Sequence, residues 1–311
     1  MMKKIFIDGK AGTTGLKIFD RLSTRDDVSL ITLPEELRKD PDARKKALNE
    51  ADIAFLCLPD DAARESVSMI ENDNTVVIDT STAHRTNPDW SYGFPELSEK
   101  HRENILNSKR IAVPGCHASG FIALVYPLIE AGIIDKDILL SCFSITGYSG
   151  GGNKMIAQYN ENADDVLLLA PRQYGISQKH KHLPEMKAIT GINNEPIFSP
   201  VVSSFYSGME VTVPLFASQL NAGKTVDDIR KAYSQKYVGP MVTYTENADE
   251  EGFMSAARFS GKDTMEVSVH GNDDRILLVA RYDNLGKGAS GAAVEILNLV
   301  MGVEATKCLE I

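Results

Sequence analysis

Hydrophobic and polar residues follow two different patterns along the chain, and the pattern changes near residue 115. Before that point, short apolar runs end in turn-forming residues and are followed by stretches with helical spacing, as in KKIFID (3–8) and LKIFDRL (16–22). Similar apolar runs occur at 28–34, 51–59, 75–81 and 110–113. Strands that alternate with helices predict a Rossmann-like, doubly wound parallel sheet in an α/β fold.

Beyond residue 115 the apolar runs are longer and alternate residue by residue, which is typical of strands with one buried face. They lie at 139–145, 196–206, 209–217, 241–246, 264–271 and 275–283. The last two are separated by Asn272-Asp273-Asp274 after Gly271, a hairpin turn. We predict a second α+β domain with a mixed, mainly antiparallel sheet that is covered by helices on one face. The other face of this sheet is expected to be free of helices. A free sheet face of this size suggests a contact between subunits, so we predict a homo-oligomer, either a dimer or a tetramer.

These patterns divide the chain into two domains. We predict a dinucleotide-binding domain over residues 1–114, which the C-terminal helix within 286–311 completes. Residues 115–285 are predicted to form the catalytic and oligomerisation domain. The 311 residues exceed a typical single domain, in agreement with this division.

The charge of the chain excludes some classes of partner. A formal net charge of −10 argues against a nucleic-acid surface, which needs a basic stripe. No apolar run approaches the ~20 residues that cross a bilayer, and MMKKIFIDGK lacks the apolar core of a signal peptide. We therefore expect a cytoplasmic protein without membrane or nucleic-acid partners, whose scattered cysteines are reduced thiols.

A glycine motif follows the first predicted strand. Gly9, Gly12, Thr13, Thr14 and Gly15 form a GxxGxxG turn between a strand and a helix, a context that favours dinucleotide binding. The alternative is a glycine-rich turn that binds no ligand. After the second strand, Arg38 and Lys39 lie close to Glu35 and Glu36 and are suited to a 2′-phosphate, which favours NADP(H) over NAD.

A candidate nucleophile stands in VPGCHASG (113–120), where Cys116 follows a Pro-Gly break and precedes an apolar helical stripe. At a helix N-terminus, the dipole and the unpaired amides of the first turn lower the pKa of a thiol. The sequence thus predicts a reactive Cys116, and the alternative is a small buried residue. Cys57 and Cys142, in contrast, lie within apolar runs and are predicted to be core residues.

Candidate acid/base groups lie in KHKHLPE (179–185). If this segment is extended, His180 and His182 point the same way, and Glu185 is available to orient one of them or to hold substrate. The alternatives are a three-ligand metal site, for which no fourth ligand is evident, and a charged loop. We predict no metal. The sequence TGYSGGGNK (146–154), with Ser149, is suited to close over a ligand, and Arg85 after the fourth strand is suited to an anion.

The motifs GKAGTTG, STAHR, YGFPEL, VPGCHASG, TGYSGGG, KHKHLPE and DNLGKGASGAA together resemble those of the N-acetyl-gamma-glutamyl-phosphate reductases of the semialdehyde dehydrogenase superfamily. The resemblance implies NADPH-dependent reduction of a small acyl phosphate in arginine biosynthesis, with Cys116 as the nucleophile. It implies that His180 and His182 supply the acid/base and a polarising contact, with His182 preferred as the acid/base. It also implies that Arg85 and Glu185 contact the substrate. Asn284 and Lys287 are implied to lie near the nicotinamide or the phosphate. His117 departs from the family, which often has tyrosine there.

Three other functions remain open from the sequence. One is an aspartate or aminoadipate type of semialdehyde dehydrogenase, because the motifs do not determine the length of the substrate. Another is a non-catalytic NADP(H)-binding redox sensor, which would not need Cys116 beside histidines. The third is a cofactor-free cysteine hydrolase, which would not need the glycine turn.

Overall fold

The computed structural model describes residues 2–311, and the chain divides into two units. The first unit extends to Pro114 and includes Ala289–Leu309, and the second comprises Gly115–Gly288 with Glu310–Ile311. Between residues 2 and 311 there is no helix that is both long and apolar enough to cross a bilayer.

The first unit contains a six-stranded sheet in which every pairing is parallel, with the order β2-β1-β3-β4-β6-β5. Its strands are β1 (Lys3–Asp8), β2 (Val28–Ile31), β3 (Ile53–Leu56), β4 (Val76–Asp79), β5 (Ser91–Tyr92) and β6 (Arg110–Ala112). The strand order changes direction at β1, which lies between β2 and β3, and the carboxyl edge of such a sheet binds ligands at this point. The predicted doubly wound sheet is confirmed.

Five α-helices belong to this unit. They are α1 (Thr13–Leu22), α2 (Pro41–Glu50), α3 (Asp60–Ser68), α4 (Glu99–Asn107) and α10 (Gly291–Met301). Ile18 and Leu22 of α1 and Ile296 and Leu297 of α10 share one buried cluster with strand residues such as Ile5. The C-terminal helix is therefore part of the hydrophobic core of the first unit.

The second unit contains a seven-stranded sheet with the order β11-β12-β13-β10-β7-β9-β8. Its strands are β7 (Ser141–Gly147), β8 (Arg172–Gln173), β9 (Ile197–Ser203), β10 (Met209–Phe216), β11 (Val242–Tyr244), β12 (Met265–Gly271) and β13 (Arg275–Tyr282). Only the pairings β7–β9 and β11–β12 are parallel. The predicted mixed, mainly antiparallel sheet is confirmed, and β12 and β13 form the predicted hairpin.

The helices of the second unit cover one face of this sheet. They are α5 (Cys116–Glu130), α6 (Gly152–Glu161), α7 (Val166–Leu169), α8 (Leu183–Thr190) and α9 (Val226–Lys236). Helix α5 packs on β10 and β13, and α8 and α9 pack against α5. The candidate nucleophile is therefore the first residue of the central helix of this unit.

Helix α5 continues through Pro127, a residue that has no amide hydrogen and leaves the carbonyl of Ala123 without its usual donor. The Tyr237 hydroxyl donates a hydrogen bond to that carbonyl at 2.6 Å. The buried carbonyl is thus satisfied from outside the helix, which explains how an internal proline is tolerated here.

The opposite face of the second sheet exposes apolar side chains. Ile197 is 66% exposed and Phe216 is 61% exposed. The strand register places them on the same face as Phe143 and Leu277, each of which is 43% exposed. The structure therefore has the uncovered sheet face from which the sequence predicted an oligomer.

Candidate active site

Cys116 is the first residue of α5, and Gly115 is its N-cap with an extended backbone (φ −76°, ψ 144°). The amide of Gly115 donates to Oε1 of Glu185 at 2.8 Å, and its carbonyl accepts from the amide of Ser119 at 2.8 Å. Glu185 is 1% exposed, so its carboxylate is a buried anchor for the turn before the thiol. Cys116 is partly exposed, in contrast to the buried Cys142. The structure thus places Cys116 at the predicted helix N-terminus.

Three histidine rings meet at the start of α5, where His117 directly follows Cys116. The ring centroid of His117 lies 5.8 Å from that of His180 and 5.7 Å from that of His182. The rings of His180 and His182 are 4.7 Å apart and nearly perpendicular. The two histidines predicted from the sequence are therefore together, and His117 joins them.

The backbone that carries these histidines differs from the extended segment considered above. Lys181 and His182 lie in a turn, and α8 begins at Leu183 with Pro184 in its first turn. Proline favours that position because its fixed φ suits a helix and its missing amide hydrogen is not needed there. The two rings still come together, because the amide of His182 donates to Nδ1 of His180 at 3.2 Å across the turn.

His117 is 2% exposed and hydrogen-bonded at both ring nitrogens. Its Nδ1 lies 2.7 Å from Oγ of Ser144, and its Nε2 lies 2.5 Å from the hydroxyl of Tyr174. Burial, followed by the charge of His180, lowers the pKa of His117 to about 3. His117 is therefore a neutral ring at physiological pH, held as a fixed hydrogen-bonding group next to the thiol.

His180 is also neutral at physiological pH. Burial, followed by the positive charge of Lys181, lowers the pKa of His180 to about 4. A group with such a pKa is a weak base and is almost never protonated near pH 7. His180 is therefore not suited to be an acid/base group that gains and loses a proton near neutral pH.

Tyr174 packs among the histidines. Burial, followed by the electrostatic effect of Cys116, raises the pKa of Tyr174. Its ring centroid lies 6.0 Å from those of both His117 and His180. Cys116, Tyr174 and the histidine rings therefore form one cluster inside the second unit.

Buried hydrogen bonds hold the start of the DNLGKG segment (283–288). Asp283 is buried, and its carboxylate accepts hydrogen bonds from the hydroxyl of Ser207 and from the amide of Gly261. Asn284 accepts from the amide of Gly208 at 2.9 Å and donates to Oγ of Ser149 at 3.0 Å. The predicted residues Ser149 and Asn284 are thus in direct contact, each of them buried.

The chain then enters a short π-helical segment, Gly286–Ser290, in which Lys287 is 3% exposed. A β-carbon at Gly288 would lie 3.1 Å from Cβ of Cys116. The segment therefore packs directly on the candidate nucleophile, and a π-helical turn is frequently found at functional sites.

The glycine turn of the first unit has the backbone geometry that a dinucleotide requires. Gly9 has φ +87°, and a β-carbon on it would lie 2.3 Å from the carbonyl oxygen of Cys57. A β-carbon on Gly15 would lie 2.6 Å from the carbonyl oxygen of Gly9. Gly12 is the N-cap of α1, and Thr13 and Thr14 are its first residues. The turn thus brings the N-terminus of α1 close to the strand end, as in phosphate-binding βα turns.

A cleft of about 670 Å³ opens at this turn. It is lined by the ends of β1 and β2 and by both candidate 2′-phosphate contacts, Arg38 and Lys39. Arg38 pairs with Glu35 at 2.9 Å while remaining 46% exposed. The residues present therefore fit a dinucleotide, with glycines at the pyrophosphate position and two cations at the far end.

Arg85 lies after β4 in the first unit. Its Nε donates to the carbonyl of Val113 at 2.9 Å, and its Nη2 donates to the carbonyl of Thr80 at 2.9 Å. The neighbouring His84 ring stacks on Trp90 at 4.0 Å and lies 2.7 Å from the carboxylate of Asp79. The structure thus shows Arg85 holding the ends of two adjacent strands, and its predicted substrate contact stays a prediction.

The sequence did not predict Ser144 and Tyr174 as members of the site. Ser144 did leave a signal, because it is a polar residue at a core-facing position of an alternating strand, between the buried Cys142 and Thr146. Tyr174 follows the two-residue strand β8 and has no sequence signal that separates it from other tyrosines. Among residues 2–311, no group of three or more His, Cys, Asp or Glu side chains is arranged to hold a metal ion.

Comparison with known proteins agrees with this architecture. The model of the semialdehyde dehydrogenase NAD binding domain matches residues 34–105, and that of the semialdehyde dehydrogenase dimerisation domain matches residues 116–284. A fold match at TM-score 0.74 and 17% identity is aspartate semialdehyde dehydrogenase II of Vibrio cholerae, covering 97% of this chain and 99% of that one. The aspartate semialdehyde dehydrogenase of Candida albicans, solved with NADP, matches at TM-score 0.69 and 16% identity with the same coverage.

The chain therefore belongs to the semialdehyde dehydrogenase family and is an oxidoreductase with a nicotinamide cofactor. Within that family it groups with the N-acetyl-gamma-glutamyl-phosphate reductases. The proteins of that name from Brucella ovis and Brucella canis are each 45% identical to it over 309 residues, which is 97% of this chain and 100% of theirs. The resemblance inferred from the motifs is confirmed.

Proposed function

We propose that the protein reduces N-acetyl-gamma-glutamyl phosphate to N-acetylglutamate semialdehyde with NADPH, a step of arginine biosynthesis, through a thioester on Cys116. The observation that carries this proposal is the position of Cys116 at the N-terminus of α5, directly before His117, whose ring packs with those of His180 and His182. The names of relatives at 45% identity support the choice of substrate.

The resting site holds a thiolate in this proposal. The N-terminus of α5 supplies partial positive charge and amide hydrogens to the sulfur. His182 is proposed as the proton donor of this site. The buried carboxylate of Glu185 fixes the turn before Cys116 through the amide of Gly115, so that the sulfur has a defined position.

The first step transfers the acyl group to sulfur. The thiolate attacks the acyl carbon, a C–S bond forms, and the C–O bond to phosphate breaks with its electron pair on the departing oxygen. His182 donates its proton to that oxygen. The amides of the first turn of α5 stabilise negative charge on the carbonyl oxygen during the attack.

The second step releases the aldehyde. When bound, NADPH supplies the hydride that reduces the thioester carbon. The tetrahedral oxyanion on Cys116 then collapses, the C–S bond breaks, and the electron pair returns to sulfur as thiolate. His182 regains a proton from solvent, so one proton is consumed for each aldehyde formed.

The assignment of the acid/base role to His182 is supported by its neighbour. Because the pKa of His180 is lowered to about 4, His180 cannot supply a proton efficiently near pH 7. We propose that His180 instead polarises the substrate carbonyl or orients His182. Nδ1 of His180 accepts a hydrogen bond from the backbone amide of His182.

We retain three substrate contacts and two further cofactor contacts as proposals. Arg85 is proposed to attract the anionic substrate, and Ser149 and Glu185 to border it. Asn284 and Lys287 are proposed to lie near the nicotinamide or the phosphate. The direct bond between Asn284 and Ser149 supports a shared role for these two residues.

NADPH rather than NADH is proposed as the cofactor, because Arg38 and Lys39 both line the cleft at the glycine turn. The double variant R38A/K39A should lose about 10- to 100-fold in kcat/KM for NADPH, since two charge-assisted phosphate contacts disappear. Its kcat/KM for NADH should change by less than about threefold. Steady-state kinetics with both cofactors measures this, and equal losses for the two would contradict NADP selectivity at these residues.

The substrate is tested by the reverse reaction. Purified protein with NADP⁺ and inorganic phosphate should oxidise N-acetylglutamate semialdehyde much faster than aspartate semialdehyde or aminoadipate semialdehyde. Faster oxidation of aspartate semialdehyde would assign the rival substrate. NADPH binding without turnover of any of the three would favour the redox sensor, and hydrolysis without cofactor would favour the cysteine hydrolase.

We also propose that the exposed sheet face of the second unit binds a second copy of the chain, as a dimer or within a tetramer. The exposed Ile197 and Phe216 support this, together with the description of the matching family model as a dimerisation domain. Sedimentation equilibrium should give at least twice the chain mass of 34.0 kDa. A monomer at micromolar concentration would contradict it.

A further inference from the structure

Three buried tyrosine hydroxyls reach the backbone of α5 from outside the helix. Tyr237 donates to the carbonyl of Ala123 at 2.6 Å, and Tyr233 donates to that of Leu124 at 2.5 Å. Tyr282, the last residue of β13, donates to the carbonyl of Cys116. Two of these bonds lie in the middle of the helix, and the third lies at the candidate nucleophile.

The Tyr282 hydroxyl differs from the other two because it also accepts a hydrogen bond. The amide of Gly120 donates to it at 3.0 Å. In a regular α-helix the amide of residue 120 pairs with the carbonyl of residue 116. The hydroxyl of Tyr282 therefore contacts both the donor and the acceptor of the first turn of α5, and it ties that turn to the end of β13.

The hydroxyl is buried and closely packed against Gly120. Tyr282 is 0% exposed, and a β-carbon on Gly120 would lie 2.7 Å from its hydroxyl oxygen and 2.7 Å from Cγ2 of Val211. Glycine at 120 is thus what lets the hydroxyl reach the backbone. Gly288 also packs closely on the nucleophile, because a β-carbon on it would lie 3.1 Å from Cβ of Cys116.

The hydroxyl is also electrostatically coupled to the sulfur. Burial, followed by the electrostatic effect of Cys116, raises the pKa of Tyr282 well above its ordinary value. Tyr282 therefore stays protonated and remains a hydrogen-bond donor across the pH range in which the enzyme works.

We propose that Tyr282 is a positioning residue for the nucleophile, whose hydroxyl sets the first turn of α5 and thereby aligns the sulfur of Cys116 with the helix N-terminal amides. This inference rests on the proposed function, because it matters for turnover only if Cys116 attacks the substrate. It concerns geometry within the second unit alone, so it can also be tested without substrate.

The test compares Y282F with Y233F and Y237F, which remove the other two hydroxyls that bond to α5. Y233F and Y237F each lose one buried hydrogen bond and Y282F loses two, so all three variants should show a decrease in Tm, with that of Y282F at least as large as the others. Only Y282F should lose about 10- to 100-fold in kcat, with KM within about threefold of wild type, because a small misplacement of the nucleophile slows the chemical step. Only Y282F should shift the pH dependence of Cys116 alkylation by iodoacetamide to higher pH, measured by peptide mass.

The outcomes separate the two proposals. If Y282F matches Y237F in kcat and in alkylation profile, the positioning role is wrong, and the function of Cys116 is unaffected. If C116S keeps its reductase activity, the proposed function is wrong, and the alkylation profile of Y282F still decides whether Tyr282 tunes the thiol.

A second variant covers the case in which Y282F does not fold. Replacement of Tyr282 by 3-fluorotyrosine keeps the ring and both hydrogen bonds but makes the hydroxyl a stronger donor. The alkylation profile of Cys116 should then move to lower pH, whereas 3-fluorotyrosine at position 237 should leave it unchanged. An unchanged profile for the variant at 282 would overturn the inference.

Discussion

The variant C116S should fold normally and lose roughly 10³-fold or more of its reductase activity. Serine is close to cysteine in size and is accepted at a helix N-terminus, so α5 and the Glu185 contact to Gly115 should be kept. A serine hydroxyl is not ionised near pH 7 and attacks an acyl phosphate far more slowly than a thiolate does. Turnover with N-acetyl-gamma-glutamyl phosphate and NADPH measures the loss, and circular dichroism and Tm establish the fold.

The matched control is C308S, which removes an exposed thiol far from the helix N-terminus in sequence. Its kcat should stay within about twofold of wild type. If C116S kept more than a tenth of wild-type activity while C308S lost it, the nucleophile would have to be reassigned.

The second large effect is expected for H182N, which should lose about 10²- to 10³-fold in kcat. The variant removes the group that gives a proton to the departing phosphate, and the limb of the pH–rate profile that reports this group should disappear. H180N is the matched control, because asparagine at 180 still offers an oxygen to the amide of His182. A histidine with a pKa of about 4 is already neutral above pH 5, so H180N should cost about tenfold at most and leave the limb in place.

The reverse order of these two effects would exchange the roles of the histidines. If H180N abolished the pH-dependent limb and H182N kept it, His180 would be the acid/base group. Equal small losses for both would contradict imidazole acid/base catalysis at this site altogether.

The elements that the sequence predicted correctly are those with strong local patterns. The strand, glycine turn and helix at residues 3–22 could be predicted because the glycines lie between an apolar run and a stretch with helical spacing. The structure shows why glycine is needed there: Gly9 and Gly15 meet backbone atoms at distances that only glycine permits. The alternation in 275–283 and the turn at 272–274 likewise defined a hairpin. The helix N-terminus at Cys116 followed from the Pro-Gly break before an apolar stripe.

At the start of α8, the alternation of residues suggested a strand-like segment although helix-boundary residues were present. Alternating Lys and His at 179–182 suggested an extended segment, but Pro184 in the first helical turn and Gly191 at the C-cap (φ +76°) are ordinary helix boundaries. The tertiary contact from Glu185 to Gly115 then fixes the helix, and no local pattern encodes that contact.

Other parts of the candidate site depend on pairings between distant strands. The bond from Tyr282 to Cys116 joins residues 166 positions apart, and it exists only because β13 lies beneath the first turn of α5. The His117 cluster likewise needs Tyr174 from the β8 region and Ser144 from β7. Such contacts require the sheet order β13-β10-β7-β9-β8, which local periodicity does not determine.

The most direct test of the covalent mechanism is to trap the acyl group on the protein. Wild-type enzyme incubated with N-acetyl-gamma-glutamyl phosphate in the absence of NADPH should release one equivalent of phosphate and carry an N-acetylglutamyl thioester on the peptide that contains Cys116. Addition of NADPH should then release the semialdehyde at the rate of turnover. Steady turnover with no acyl group on Cys116, or with the acyl group on another residue, would contradict the account.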